Sequence, residues 1–298
     1  MLRSQVCTHA SLTSPELQSW ADELRPAWTF AAPAGARTLA HRKIWEWLFV
    51  ARALEERGVL QPGRRGLGFG VGHEPLVAAF ADRGCRIVAT DLDPARAAAA
   101  GWVETEQHAT GLDELNPYQL CDPDDFRRRV TFRVVDMTRI PSDLRDFDFA
   151  WSLCALEHLG TLVAGLEFIL ASLGCVRPGG LVVHTTEFNA SSDDETIAAG
   201  PTVLYRRRDI EWLVRRLRHE GHDVEPVDYD TGDHPADRHV DVPPYTQTHL
   251  RMQLDRYVAT SLALVVRRRR RDPGVVGRLR RLPSARAVRR MPPVPPPA

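Results

Sequence analysis

The sequence predicts an α/β protein: a doubly wound, mainly parallel sheet of seven strands with an antiparallel terminal pair, preceded by a helical N-terminal extension. Three observations carry this. Five short runs rich in β-branched and aromatic residues alternate with helical patterns between Arg65 and Glu187. The first of them runs straight into a glycine turn and a helix, as a βαβ unit requires. Two further runs, Val224 to Tyr229 and Tyr257 to Val266, have no crossover helix between them and therefore suit antiparallel pairing at a sheet edge.

With 298 residues and 43% apolar content the chain can bury a large core. Residues 1–58 read as an arm and a covering helix, 59–266 as the sheet domain, and 267–298 as a disordered Arg- and Pro-rich tail. Pro15, Pro26 and Pro33 interrupt the arm, leaving a loose segment with one short helix near Pro15 to Leu24. Ile44, Trp45, Leu48, Ala51 and Leu54 recur at helical spacing, so His41 to Arg57 is a helix ended by Gly58, with Trp45 and Trp47 read as packing residues, the alternative being that they cover a cofactor. Leu67 to Phe69 close the first strand, and Gly68, Gly70 and Gly72 allow a tight turn into the helix that begins near Glu74. Arg86 to Thr90 is the second strand, and Asp91 stands at its tip, 21 residues past Gly70. That spacing suits one carboxylate bound to two ribose hydroxyls, in NAD or in S-adenosylmethionine.

Beyond it, Asp93 and Pro94 start an alanine-rich helix stopped by Gly101, and VTFRVVDM forms a third strand ending at Asp136 and Met137. The fourth strand, in FDFAWSLCALEHLG, leads to a loop holding Glu157 and His158. A Pro178-Gly179-Gly180 turn introduces the fifth, which ends at Glu187. In a doubly wound sheet, ligands sit at these carboxyl ends. Ile210, Leu213, Val214 and Leu217 then mark a further inward-facing helix.

Net charge is zero, yet residues 267–298 hold eleven of the 39 basic residues and one of the 39 acids, leaving the body with 28 basic against 38 acidic residues. An acidic body excludes a specific nucleic-acid binder, while the arginine tail suits weak contact with acidic surfaces. The five cysteines form no C-x-x-C pair and read as reduced core residues. No signal-peptide pattern or membrane-length apolar run is present, so the expected location is the cytoplasm. Asp233, His234, Asp237, His239 and Asp241 crowd one loop at a spacing that matches no specific site, and no metal is expected.

The order of these motifs resembles the class I S-adenosylmethionine-dependent methyltransferases over residues 60 to 266. The resemblance implies that S-adenosyl-L-methionine is the cofactor and that the loop Gly68, Phe69, Gly70, Gly72 cradles it. It further implies that Asp91 holds the ribose, that Leu92 beside it contacts the cofactor, and that Asp136 and Met137 border the adenine. CALEHLG and HTTEFN resemble bacterial enzymes of glycan and natural-product pathways, implying a small-molecule or glycan acceptor methylated at a hydroxyl oxygen. Two positions depart from the family pattern. The first strand carries Gly68 where an acid is common, and Glu74 replaces the third loop glycine, which makes Glu74 the candidate for the cofactor's ammonium. His158, oriented by Glu157 or Glu187, is the candidate general base, and the alternative is that these residues only brace the loop. A non-catalytic scaffold and an NAD-dependent oxidoreductase are the competing functions.

Overall fold

The computed structural model describes residues 1–30, 40–99, 108–245 and 248–270. The tail expected to be disordered lies, beyond Arg270, outside the described residues, as do Gly101 and Pro33.

The chain opens with β1 (Ser4–Val6) and three single-turn helices, α1 (His9–Leu12), α2 (Pro15–Gln18) and α3 (Ala21–Leu24), followed by the long α4 (Arg42–Glu55). Then come β2 (Arg65–Phe69), α5 (Leu76–Asp82), β3 (Arg86–Asp91), α6 (Pro94–Ala99), α7 (Pro123–Arg129), β4 (Val130–Val134) and β5 (Phe147–Leu153). The remainder is α8 (Leu162–Cys175), β6 (Val176–Asn189), α9 (Arg207–His219), β7 (Asp223–Val224), β8 (Val227–Asp228), α10 (Pro235–Arg238), β9 (Met252–Leu254) and β10 (Tyr257–Arg267).

The expected seven-stranded sheet is a ten-stranded one, ordered β4-β3-β2-β5-β6-β10-β1-β8, with β7 and β9 also paired to β10. β2 through β6 pair in parallel, and the order reverses beside β2, which places the switch point between the ends of β2 and β5. The terminal strand pair is arranged differently from the sequence reading. β10 runs antiparallel to β6 along nine residue pairs and is an interior strand. The run from Val224 splits in two: β7 pairs with β10, whereas β8 pairs with β1 in parallel. Three of the additional strands, β1, β8 and β9, are two or three residues long, too short for a period-two pattern to stand out.

The N-terminal segment is not a loose arm. β1 pairs with β10, and Leu12, Leu17, Trp20 and Leu24 are fully buried against α4 and α5. Thr8 and Ser14 cap the first two turns, and Trp20 Nε1–H donates to Glu55 at 2.9 Å, so each short helix is tied to α4. Consequently α4 is buried almost all round, including its charged residues Arg42 and Glu46. It lies against β5, β6 and β10, and its first turns reach Cys154 and Glu187 through Arg42 and Glu46.

Candidate active site

The glycine turn is built by conformation and by crowding. Gly70 (φ 57°) and Gly72 (φ 48°) occupy the left-handed region, and a Cβ on Gly70 would stand 3.0 Å from the Ala155 methyl. Asp91 holds this turn to the second parallel strand: its Oδ2 accepts the N–H of Gly72 at 2.9 Å and of Ala109 at 3.2 Å, and its Oδ1 accepts that of Leu92 at 2.8 Å. Burial raises the Asp91 carboxyl, against the lowering effect of those three donors.

Gly68 lies beneath the turn. A Cβ there would meet Val71 Cγ1 at 2.6 Å and the Trp151 ring at 2.7 Å, so the position that commonly carries an acid has no room for a side chain. Gly68→Asp is therefore expected to destabilise the protein by about 1–3 kcal/mol through overpacking, measurable as a lower Tm with no gain in cofactor affinity. The Trp151 indole N–H instead donates to Glu74, whose carboxyl is 7% exposed and is pushed up to about 8 by burial. Asp136 faces Arg96 at 2.7 Å and accepts two hydrogen bonds from Thr138. Burial works against them, but these bonds hold it below the usual carboxylate range.

Gly70, Gly72, Glu74, Asp91, Leu92, Asp136, Met137 and His158 all line one cavity of about 710 Å³. Four expected residues are not on its wall. Gly68 and Phe69 are packed under the turn, Phe69 edge-on to Phe168. Glu157 and Glu187 are buried behind the wall: Glu157 accepts from Thr186 at 3.1 Å, and Glu187 pairs with Arg42 at 2.6 Å. Burial, reinforced by the neighbouring Glu187 carboxylate, pushes Glu157 up to about 8.

His158 Nδ1 donates to the Pro201 carbonyl at 2.8 Å, which leaves the lone pair on Nε2, 4.0 Å from Glu157. Burial lowers its imidazole to about 4, so the ring is neutral at physiological pH.

Sequence reasoning missed His41, Arg42 and Lys43, which enter the cavity wall from the start of α4 beside Trp47, a tryptophan that both packs and lines the cavity. His249 joins them, its Nδ1 held by Asp241 at 2.6 Å and its ring stacked on His41. Arg42 and Lys43 share Glu46, which is fully buried and also accepts from Ser261 and Cys154. A glutamate between two tryptophans inside an apolar helix was the available signal. Cys154, Glu157 and Glu187 bring potential ligand atoms within 4.8 Å of one another, and the Arg42 guanidinium supplies a cation to that group. In the acidic loop, Asp237 instead accepts the His9 N–H at 2.7 Å and His234 caps α10.

No curated protein matches the sequence. Among solved structures, a protein assigned as a sarcosine dimethylglycine methyltransferase from Galdieria sulphuraria is 17% identical, with 56% of this chain and 60% of that one covered and a TM-score of 0.37. An S-adenosylmethionine-dependent methyltransferase from Mesorhizobium loti is 18% identical, over 72% of this chain and 96% of that one, with a TM-score of 0.41. The magnesium protoporphyrin IX methyltransferase of Synechocystis PCC 6803, solved with its cofactor, is 14% identical over 86% and 98%, with a TM-score of 0.44. No helix among the described residues is long and apolar enough to cross a membrane. The methyltransferase-domain profile matches residues 41–257, from the start of α4 into β10. The chain therefore belongs to the methyltransferase-domain family, and its cofactor is S-adenosylmethionine.

Proposed function

We propose that this protein is a cytoplasmic enzyme that methylates a hydroxyl oxygen of a small-molecule acceptor, of the glycan or natural-product kind, inside the 710 Å³ cavity. The observation that carries the reading is the meeting, on one wall system, of the glycine turn and strand-end acids with the neutral imidazole of His158.

The residues present fit the cofactor. Gly70 keeps open a space that a Cβ would fill, between Ala155 and Met137, and Asp91 presents a nearly buried carboxylate to the cavity. Asp91 would hold the ribose hydroxyls, and Asp136, Met137 and Leu92 would border the base. Glu74 would face the amino-acid end. When bound, S-adenosylmethionine supplies a methyl on a sulfonium, ready for displacement by an oxygen lone pair. The chain's own part is to orient the acceptor, to keep water out with Trp47 and Tyr118, and to receive the hydroxyl proton at His158 Nε2.

Asp91→Ala is expected to weaken S-adenosylhomocysteine binding by on the order of 2–4 kcal/mol, roughly 30- to 1,000-fold, through loss of charge-assisted hydrogen bonds. Calorimetry on the folded variant checks this, with NAD as the control ligand; parental affinity would show that the cavity has been misassigned. A non-catalytic scaffold is the second reading, favoured by Gly68 in place of a strand acid, and it predicts cofactor binding without methylated product.

A further inference from the structure

Among the acids lining the cavity, Asp136 faces Arg96, and Asp91 accepts three backbone N–H groups with the His108 imidazole 3.9 Å away. No ion pair to Glu74 occurs among the described residues. Its hydrogen-bond donor is the neutral indole of Trp151. The charged groups that bear on it are Lys43 and Glu46 from α4 and Asp91 at the end of β3. Lys43 is already engaged with Glu46 at 3.1 Å, and the other two are acids.

The same indole blocks the strand position beneath. A side chain at Gly68 would collide with the Trp151 ring, so the acid that would normally rise from the first parallel strand cannot be placed there. Trp151 thus closes one position for a carboxyl group and secures another at the start of α5.

Resting on the reading that the cavity holds the methyl donor, we propose that Glu74 is a proton-coupled clamp for the donor's ammonium group, neutral beforehand and losing its proton to water when the ammonium docks. A carboxyl buried among apolar groups and fellow acids, with one neutral donor, cannot sustain a charge, and an ammonium placed against it reverses that balance. The sign of the linkage follows. Burial pushes Glu74 up to about 8, and the docking cation favours the charged form, so below about 8 binding releases a proton and affinity falls as pH falls. The limiting slope is about tenfold per pH unit.

Two cations of the donor could face Glu74, the ammonium and the sulfonium, and the choice of probe separates them. S-adenosylhomocysteine carries only the ammonium, and 5′-methylthioadenosine carries neither. Calorimetry on the full chain at pH 7, in buffers of different ionisation enthalpy, is expected to count about one proton released with S-adenosylhomocysteine and none with 5′-methylthioadenosine. Affinity for S-adenosylhomocysteine should rise roughly tenfold from pH 6 to pH 7. Glu74→Gln, which keeps the acceptor for Trp151, should abolish both the release and the slope. In Trp151→Phe, which removes the stabilising donor, the slope should persist to higher pH.

Binding of S-adenosylhomocysteine to the unmodified protein without proton release overturns the clamp and leaves the proposed function standing. Release only with S-adenosylmethionine, or equal release in Glu74→Gln, also overturns it. Failure of the unmodified protein to bind S-adenosylhomocysteine removes the functional reading and this inference together.

Discussion

His158→Gln is expected to keep S-adenosylhomocysteine affinity within about twofold of the parent while turnover falls by roughly 100- to 10,000-fold, the range for loss of a general base. The ring's two nitrogens have different roles. Nδ1 is committed to the Pro201 carbonyl, so Nε2 is an acceptor on the wall of the cavity. Glutamine can retain the bond to Pro201 but offers no basic nitrogen. His158→Ala removes both, and comparing the two separates loop bracing from chemistry. Because burial lowers this imidazole to about 4, it is deprotonated across the neutral range. At saturating cofactor, turnover should therefore not drop between pH 8 and pH 6 on account of His158. A profile falling through the ordinary histidine range near 6.5 would assign the base elsewhere, and near-parental turnover in both variants would make His158 a structural residue.

Arg42→Ala should be among the most destabilising single changes in the chain, costing about 3–5 kcal/mol. The guanidinium reaches Glu187 at 2.6 Å, Glu46 at 3.2 Å and the Ser261 hydroxyl at 3.3 Å, all with little or no solvent. Removing it strands Glu187 and leaves Glu46 with Lys43 as its only ion-pair partner among the described residues. At about 2–4 °C per kcal/mol for a domain of this size, Tm should fall by roughly 6–20 °C. Pairing Arg42→Met with Glu187→Gln should recover part of the loss, since an apolar replacement is tolerated when the partner charge goes with it. A single variant within about 1 kcal/mol of the parent would mean that the two carboxyls are not held as charges.

What the sequence disclosed and what it hid divide along the range of the interactions. The glycine turn, the Asp91 tip and the run of βα units are local patterns, in which a residue's neighbours along the chain are also its neighbours in space. Hence Gly70, Gly72, Asp91, Asp136 and His158 could be brought to one cavity without a structure. Arg42, Lys43 and His249 belong to the same cavity only because α4 and the segment before β9 fold back across the strand ends. Apart from Glu46 between Trp45 and Trp47, their sequence neighbourhood does not separate them from ordinary solvated charges. Glu157 and Glu187 show the opposite error. Glu157 lies in the loop after β5 as expected, but β6 runs two residues past Glu187 to Asn189, and a place near a strand end does not fix the direction of a side chain: both point behind the wall, to Thr186 and Arg42. Gly68 was legible as a departure from the family pattern, and its cause, the ring of Trp151, lies on the adjacent strand.

The pairing of β1 with β10 has a consequence for how this chain is made. Gln5 lies opposite Ala263, and Ser4 Oγ accepts the Val265 N–H at 3.0 Å, so the first strand finds its partner only after the residues up to Val265 have been synthesised. At translation rates of about 5–20 residues per second, Val6 and Cys7 emerge roughly 10–50 s before β10 exists to cover them. Nascent chains arrested before Tyr257 therefore lack β10, the strand that joins β6 to β1, and carry an unpaired apolar N-terminus that chaperones would have to hold. The parallel strands β2 to β6 can assemble as they leave the ribosome, whereas the β6–β10–β1 seam waits for β10, so a truncation that removes β10 separates β1 from β6.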